Sequence, residues 1–400
     1  MKTLERSLLA LAMMLALPFS ACAQWYLFPG GRPAADSTAV AARDSVSVAA
    51  GDSVRTADTV SIFHEAGDGV AVTPCVRTAL ILPFKSTGAP NSNFLDFYCG
   101  ALLAANALSS DELHYRIDVY DSTTGLPSAY QLDSCQLIIG PVSQEDMEQM
   151  LPRMRGKYLV SPLDPKVAVL TDSYNVIQAP SGWEAQADEL IAWLGEDLRG
   201  GDLVVLLQSA EDAAGELTGR LAAKLGENGI SYVVSSTPSS FEDKAKGSCR
   251  FVIASENDEF SSSAVREIAL MNLRGGHNIV YSTAKLRSTG DLEVESLHAA
   301  AAHITASYYA DVGSIPVRKF SEQYRSLFKG EPSQWSFQGY DLMNYFGSLA
   351  GSNPSLWQEE LYANPGKGLQ TDFIFDASGK NNTAVRRLKY NANNTISIIK

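Results

Sequence analysis

Short, nearly continuous apolar runs alternate with segments of helical apolar spacing, and this alternation is repeated in two halves of the chain. The run at residues 78–84 precedes a helical pattern at 94–108, and the run at 202–207 precedes a helical pattern at 211–225. Continuous apolar runs are typical of parallel strands that are buried on both faces. The sequence therefore predicts an α/β fold of two doubly wound, Rossmann-like lobes.

This topology also predicts where a ligand would bind. Open parallel sheets bind ligands beyond the carboxyl ends of their strands, and two facing lobes would form a cleft there. A further strand is predicted at residues 298–309, which would place His298 and His303 on opposite faces of a sheet. Because no Cys-x-x-Cys pattern and no paired histidines occur, we expect no metal and no cofactor.

The amino terminus has the features of an export signal. Lys2 and Arg6 precede an apolar stretch at residues 7–19, which is too short to span a bilayer comfortably. Residues 21–23 fit a small-x-small cleavage site, whereas residues 19–22 resemble a lipoprotein box in which Cys22 would be lipidated. We predict a signal peptide at residues 1–23, and both alternatives predict a mature protein exported to the periplasm or cell envelope.

A low-complexity linker is predicted at residues 24–74. Residues 29–62 contain no aromatic side chain and consist mostly of Ala, Ser, Val, Asp, Gly and Thr. Such a segment cannot bury enough apolar surface to offset the entropy that ordering would cost. We therefore expect an extended tether that precedes the folded lobes.

Charge and cysteine content exclude several classes of protein. The 400-residue chain has 32 Lys and Arg against 45 Asp and Glu, a formal net charge of −13, and no cluster of basic residues. Nucleic acid is therefore not an expected partner, and membrane contact is expected only through a lipid anchor.

Cys75, Cys99, Cys135 and Cys249 are too widely spaced for a disulfide scaffold. The sequence leaves two alternatives for a single disulfide bridge, Cys75–Cys99 and Cys99–Cys135.

Five motifs follow one another beyond the linker. They are Ile139-Gly140-Pro141, Val160-Ser161-Pro162, the aromatic set Phe320, Tyr324 and Phe328, then Gly339-Tyr340-Asp341, and the closing stretch 368–376. Their order and spacing over residues 76–400 resemble the type I periplasmic-binding-protein superfamily, in particular its Leu/Ile/Val-binding class. The resemblance implies three crossings between the lobes, near Pro180, near Ser307 and within residues 352–366.

The resemblance also sets the expected boundaries of the lobes. It implies a first lobe at residues 76–180 and 308–352, and a second lobe at residues 181–307 and 366–400. Residues 82–84, Tyr98 and residues 119–121 are similar to an envelope subgroup in which this fold follows LysM repeats that bind the cell wall. Residues 24–74 lack the apolar and aromatic positions that a LysM repeat needs.

In amino-acid-binding relatives, hydroxyl groups at first-lobe strand ends hold the carboxylate of the ligand. The resemblance implies this role for Ser143 and Ser161, although Ser143 could instead cap the helix that begins near Gln144. The other candidate ligand-binding residues are Gln208, Ser209, Ser255, Tyr281 and Asp341. For Asp341, packing or capping near the first lobe is the alternative role.

The second lobe departs from the family pattern. The family often has an acid followed by Tyr-Gly after the strand that corresponds to residues 203–207, and this chain has no Tyr-Gly there. The adjacent acids Glu211 and Asp212 are interpreted as a solvated helix end. No residue of the second lobe is therefore assigned to a ligand amine.

Ser282 and Lys285 match the Ser-x-x-Lys pattern of penicillin-recognising serine enzymes. Those enzymes place the serine at the start of a helix, whereas Ser282 ends a predicted strand and no Lys-Thr-Gly element occurs. We therefore expect a non-catalytic protein.

One hypothesis for its function is capture of a small amino-acid-like or peptide-like solute in the cleft. The alternative is an envelope scaffold or regulator that binds a protein or peptidoglycan.

Overall fold

The computed structural model describes residues 73–242 and 247–399. The predicted signal peptide, the linker up to residue 72 and the candidate lipidation site Cys22 lie outside the described residues.

Strands and helices alternate along the described chain. The strands are β1 Cys75–Leu82, β2 Lys85–Ser86, β3 Ala89–Pro90, β4 His114–Asp121, β5 Leu137–Ile139, β6 Leu159–Ser161, β7 Val176–Gln178, β8 Leu203–Leu207, β9 Tyr232–Ser235, β10 Cys249–Ile253, β11 Ile279–Thr283, β12 His303–Ala306, β13 Gly366–Lys367, β14 Asp372–Phe373, β15 Arg386–Tyr390 and β16 Ile396–Ile399. The α-helices are α1 Ser92–Leu108, α2 Ala129–Leu132, α3 Gln144–Met150, α4 Trp183–Asp197, α5 Glu216–Glu227, α6 Asp258–Leu273, α7 Val294–Ala299, α8 Ile315–Phe328 and α9 Gln334–Ser352.

Two large sheets define two lobes. The first sheet has the order β4-β1-β5-β6-β7, and all of its strands are parallel. The second has the order β16-β15-β12-β11-β10-β8-β9, in which only β15 and β16 run antiparallel to their neighbours. The predicted α/β fold with two doubly wound lobes is confirmed.

Each sheet is buried on both faces, as the continuous apolar runs predict. In β1, Leu80 and Leu82 face one hydrophobic cluster, whereas Ile81 faces another on the opposite side of the sheet. In β8, Val205 and Leu206 divide in the same way between two clusters. Side chains alternate between the two faces of a strand, so helices must cover both faces to exclude water.

The chain crosses between the lobes three times, and each crossing lies at the carboxyl edge of the second sheet. The first runs from Gln178 at the end of β7 to Trp183 at the start of α4, and α4 precedes β8 and runs back along it. The second leaves β12 after Ala306, and the third enters β15 at Arg386, which is paired with Ala306. Because β7 also ends at a carboxyl edge, the carboxyl edges of the two sheets face each other.

The predicted third crossing is wrong in its position. We expected it within residues 352–366, with residues 366–400 in the second lobe. The chain instead stays on the first lobe until about residue 384, because Phe373 and Phe375 pack into the first-lobe core. The ring of Phe373 stacks on Tyr345 with centroids 4.3 Å apart. Burying these aromatic rings against the first lobe holds the closing segment there.

The predicted strand at residues 298–309 is also wrong. His298 lies in α7, and β12 begins only at His303. Ala301 has a φ angle of 49°, so the chain turns between the helix and the strand. The small apolar residues at 299–302 are compatible with a helix end as well as with a strand, and the sequence pattern therefore did not distinguish them.

Helices α1 and α9 cross at two glycines in the first lobe. A methyl group on Gly339 would overlap the carbonyl oxygen of Phe97, and one on Gly100 would overlap that of Ser336. The two helix backbones can approach this closely only because both positions lack a side chain. This contact holds α9 against α1 and so positions the Gly-Tyr-Asp motif.

We predict that Gly339→Ala lowers the free energy of unfolding by about 1–3 kcal/mol, because the added methyl group overpacks the crossing. Gly219→Ala on the exposed side of α5 is the control, since a methyl group there contacts nothing within 4 Å. That control is expected to raise stability by up to about 1 kcal/mol. Urea denaturation measures both variants, and equal stability losses would contradict the prediction.

Candidate functional site

The candidate site is the space between the two facing carboxyl edges. Loops after β5 and β6 form its first-lobe wall, and loops after β8 and β10 form its second-lobe wall. Each wall carries polar side chains that the sequence analysis singled out. The contacts of these side chains show which of them are available to a ligand.

On the first-lobe wall, Ser143 caps α3. Its side chain accepts a hydrogen bond of 3.1 Å from the backbone N–H of Asp146. Ser161, the last residue of β6, is fully buried, and its hydroxyl makes one long bond of 3.5 Å to the carbonyl oxygen of Asp164. Ser143 therefore has the capping contact that was the alternative role, whereas the Ser161 hydroxyl is held only weakly.

On the second-lobe wall, Ser209 and Ser255 meet at Asp212. The Asp212 carboxylate accepts the Ser209 hydroxyl at 2.6 Å and also accepts the Ser255 hydroxyl. It accepts the backbone N–H of Glu256 at 3.3 Å as well. One carboxylate thus bonds the loop after β8 to the loop after β10. Gln208 lies beside this cluster, at the end of β8.

Asp212 is the residue that the sequence analysis missed. Burial alone would raise the pKa of its carboxyl group, but the hydrogen bonds from Ser209, Ser255 and Glu256 lower it below its usual range. A usable signal was present, because Ser209 and Asp212 stand three residues apart and bond reciprocally, as in a capping box. The adjacent acids Glu211 and Asp212 instead indicate a solvated helix end when only the sequence pattern is considered.

Tyr281 lies away from both walls. Its side chain is fully buried in the second-lobe core, and its hydroxyl donates to Asp197 at 2.9 Å. Asp197 is the last residue of α4, which ends at the opposite edge of the sheet from the cleft. Burial and the bond to Asp197 raise the pKa of Tyr281. The structure therefore does not bring Tyr281 together with the serines of the cleft.

Asp341 lies on α9 of the first lobe, beside the segment at residues 368–372, and is 1% exposed. Its carboxylate accepts backbone N–H groups of Leu369 at 2.6 Å and of Gln370 and Thr371 at 2.9 Å each. Burial raises its pKa to about 6, although these N–H groups and nearby Arg386 act in the opposite direction. Asp341 thus has the capping role that was the alternative to ligand binding.

We predict an unusual pH dependence from Asp341. Its pKa of about 6 in the folded state lies above its ordinary 3.8, so the folded state binds more protons than the unfolded state between about pH 4 and 6. Its contribution to stability therefore falls as pH rises through this window. Between pH 4.5 and 7, the change in unfolding free energy should differ between wild type and Asp341→Asn by on the order of 2 kcal/mol.

Asp212→Asn is the matched control for this experiment. Because the pKa of Asp212 is lowered in the folded state, its contribution is present above the unfolded pKa and is lost only as pH falls below about 4. Urea denaturation at both pH values should therefore give Asp212→Asn the same change as wild type. The same change in Asp341→Asn would contradict the prediction for Asp341.

The catalytic pattern is not assembled as an active site. Ser282 is 3% exposed inside the second lobe, and the Lys285 ammonium lies 2.9 Å from Asp258.

Cys75, Cys99, Cys135 and Cys249 are all unpaired. Within residues 73–242 and 247–399, no three His, Cys, Asp or Glu side chains are placed to hold a metal ion. None of the helices in these ranges is long and apolar enough to cross a membrane.

This architecture is the type I periplasmic binding fold, in which two doubly wound lobes joined by three crossings enclose a cleft. A structure from Rhodospirillum rubrum, assigned as a branched-chain amino acid ABC transporter, has a TM-score of 0.59 at 14% identity and covers 82% of this chain and 100% of its own. A similarly assigned structure from Silicibacter pomeroyi has a TM-score of 0.53 at 12% identity, with coverage of 82% and 96%.

A third similar structure contains a ligand. It is an ABC transporter substrate-binding protein from Desulfitobacterium hafniense in complex with Leu, with a TM-score of 0.52 at 13% identity, covering 81% of this chain and 100% of its own. A scan against protein-family models found no match, and neither did a search of curated proteins. The similarity to these solved structures shows the type I periplasmic binding fold, which the sequence motifs predicted.

Proposed function

We propose that this chain is an exported, non-catalytic binding protein that captures a small amino-acid-like or peptide-like solute in the cleft between its lobes. The observation that supports the proposal most directly is that the carboxyl edges of the two sheets face each other, at the place where the chain crosses three times between the lobes. This is where open parallel sheets bind ligands. The fold is shared with a substrate-binding protein that was solved with Leu, and this supports the same use of the cleft.

Within this proposal, the ligand contacts come from both walls. Gln208, which is half-buried just after β8, is the second-lobe candidate. Ser161 is the first-lobe candidate, but it is fully buried, so a ligand would have to displace the groups that cover its hydroxyl. Ser209 and Ser255 would contribute by way of Asp212, which orders their hydroxyls. Ser143 already caps α3, whose first turn carries Glu145 and Asp146, so no anionic group of the ligand is assigned to it.

We predict that a cognate solute raises the melting temperature of the mature protein. A ligand that binds only the native state stabilises it according to its concentration relative to its Kd, so a saturating ligand should raise the melting temperature by a few degrees. Free amino acids, di- and tripeptides and muropeptides are the compounds to screen. Isothermal titration calorimetry would then measure the stoichiometry of each hit, which should be one per chain.

Ala210→Trp is the variant that tests whether a hit binds in the cleft. Ala210 is exposed next to Ser209, and an indole there would obstruct the second-lobe wall. Glu112→Trp is the control, since Glu112 is exposed before β4, at the opposite edge of the first sheet. A thermal shift that survives in Ala210→Trp, or is lost equally in both variants, would contradict binding in the cleft.

The second candidate function is an envelope scaffold or regulator that binds a protein or peptidoglycan. The observation that favours it is the Asp212 cluster, because the Ser209 and Ser255 hydroxyls already bond to a carboxylate of their own wall and need no ligand as a partner. Co-sedimentation with purified peptidoglycan sacculi, together with no thermal shift by any small compound, would favour this function over solute capture.

Export and lipidation at Cys22 belong to the same proposal. They are motivated by the basic start, the apolar stretch and the two processing motifs at residues 19–23. Mass spectrometry of the mature amino terminus after expression in a bacterial host tests them. A diacylglyceryl-modified Cys22 supports the lipid anchor, an unmodified cleaved terminus supports soluble export, and an intact residue 1 contradicts both.

A further inference from the structure

The side chain of Arg386 spans the boundary between the two lobes. Its backbone begins β15 and is paired with Ala306 in the second-lobe sheet. Its guanidinium instead contacts the first lobe, where it donates to the carbonyl oxygens of Gly368 at 2.9 Å and Leu369 at 3.1 Å. It also forms an ion pair of 2.7 Å with Asp372. Arg386 is 7% exposed, so these bonds are shielded from water.

The same guanidinium also binds the second crossing. It donates to the carbonyl oxygen of Tyr309, whose own backbone N–H donates to Gln370 of the first lobe at 2.8 Å. The second and third crossings are therefore bonded to each other and to the first lobe.

Asn382 connects the first crossing to the third. Its side-chain amide donates to the carbonyl oxygen of Ala179 at 2.7 Å, and its side-chain oxygen accepts the backbone N–H of Ala384 at 2.9 Å. Ala179 begins the first crossing and Ala384 begins the third. Two polar side chains, Asn382 and Arg386, thus join all three crossings into one bonded junction.

We propose that Arg386 is a positioning residue that fixes the angle between the lobes and thereby the width of the cleft. Lobe closure in such folds bends a few crossing residues. Here any rotation of the second lobe carries the Arg386 backbone with it and strains four sets of contacts to the first lobe and to Tyr309. Charge-assisted bonds that are shielded from water resist such strain more than neutral bonds in solvent do.

The consequence for ligands rests on the proposed function, whereas the consequence for the lobe angle does not. If a solute closes the cleft, its binding energy must overcome the contacts of Arg386. Weakening this residue should then change the affinity for a cleft ligand without any change in the residues that line the cleft.

Arg387, the next residue of β15, offers a matched control. Its guanidinium bonds to Glu189 at 2.6 Å and to Glu196 at 2.9 Å. Both glutamates lie on α4 of the second lobe, so these bonds stay within one lobe. Removing either arginine therefore costs charge-assisted hydrogen bonds, but only Arg386 connects the two lobes.

The test is hydrogen–deuterium exchange of the unliganded mature protein, combined with small-angle X-ray scattering. In Arg386→Met, amides of residues 307–314 and 368–373 should exchange roughly tenfold faster or more, the factor expected for loss of a charge-assisted bond. The scattering-derived radius of gyration should change as the lobes adopt other angles. In Arg387→Met, these amides and the radius of gyration should stay as in wild type.

If Arg386→Met does not fold, Arg386→Lys and Asp372→Asn replace it in the experiment. Each should increase the exchange rates of the same amides by a smaller factor. Unchanged exchange in folded Arg386 variants, or an equal change in Arg387→Met, would overturn the proposal. The result is separable from the proposed function. If both exchange and the radius of gyration change as expected and no solute shifts the melting temperature, Arg386 fixes the lobe angle and solute capture fails; faster exchange with an unchanged radius of gyration would contradict the role in the lobe angle.

Discussion

Three crossings at one edge of two sheets constrain the whole of this protein. They turn the carboxyl edges toward each other, and they also bring irregular backbone into a buried region. Buried backbone N–H and C=O groups need partners, and here side-chain carboxamides supply many of them. Asn382 donates to the carbonyl oxygens of Ala179 and Asp372, and Gln338 donates to that of Pro162. The side-chain oxygen of Gln338 in turn accepts from the side chains of Gln370 and Thr371. The region between the lobes is consequently a polar network and not an apolar core.

Two opposite charges complete this network around the segment at residues 368–372. Asp341 accepts the backbone N–H groups of residues 369–371, and Arg386 donates to the carbonyl oxygens of residues 368 and 369. The segment can therefore be irregular and buried at the same time, because one anion and one cation bind its two kinds of backbone group. Gly368 is required at this place, since a side-chain carbon there would overlap the Asp341 carboxylate.

The parts of the fold that could be predicted are those that depend on apolar periodicity. The parallel strands and their flanking helices follow from runs such as that of β1, and the motifs around Pro141 and Asp341 pointed to the correct fold. The closing segment could not be predicted in this way, because it is held by Phe373, by Asn382 and by Arg386 through contacts with residues that are distant in sequence. Its short strands β13 and β14 carry no periodic signal.

The candidate site could be predicted only as a place. Topology located its two walls, but the roles of its residues depend on competing hydrogen bonds that no spacing reveals. The Ser209 and Ser255 hydroxyls face a carboxylate of their own lobe, and Ser143 faces a helix end. A wall whose polar groups are already ordered loses little entropy on binding and adapts little in shape. Together with the lobe angle that we propose Arg386 to hold, this order would make the cleft selective for one well-matched occupant, whether solute or protein surface.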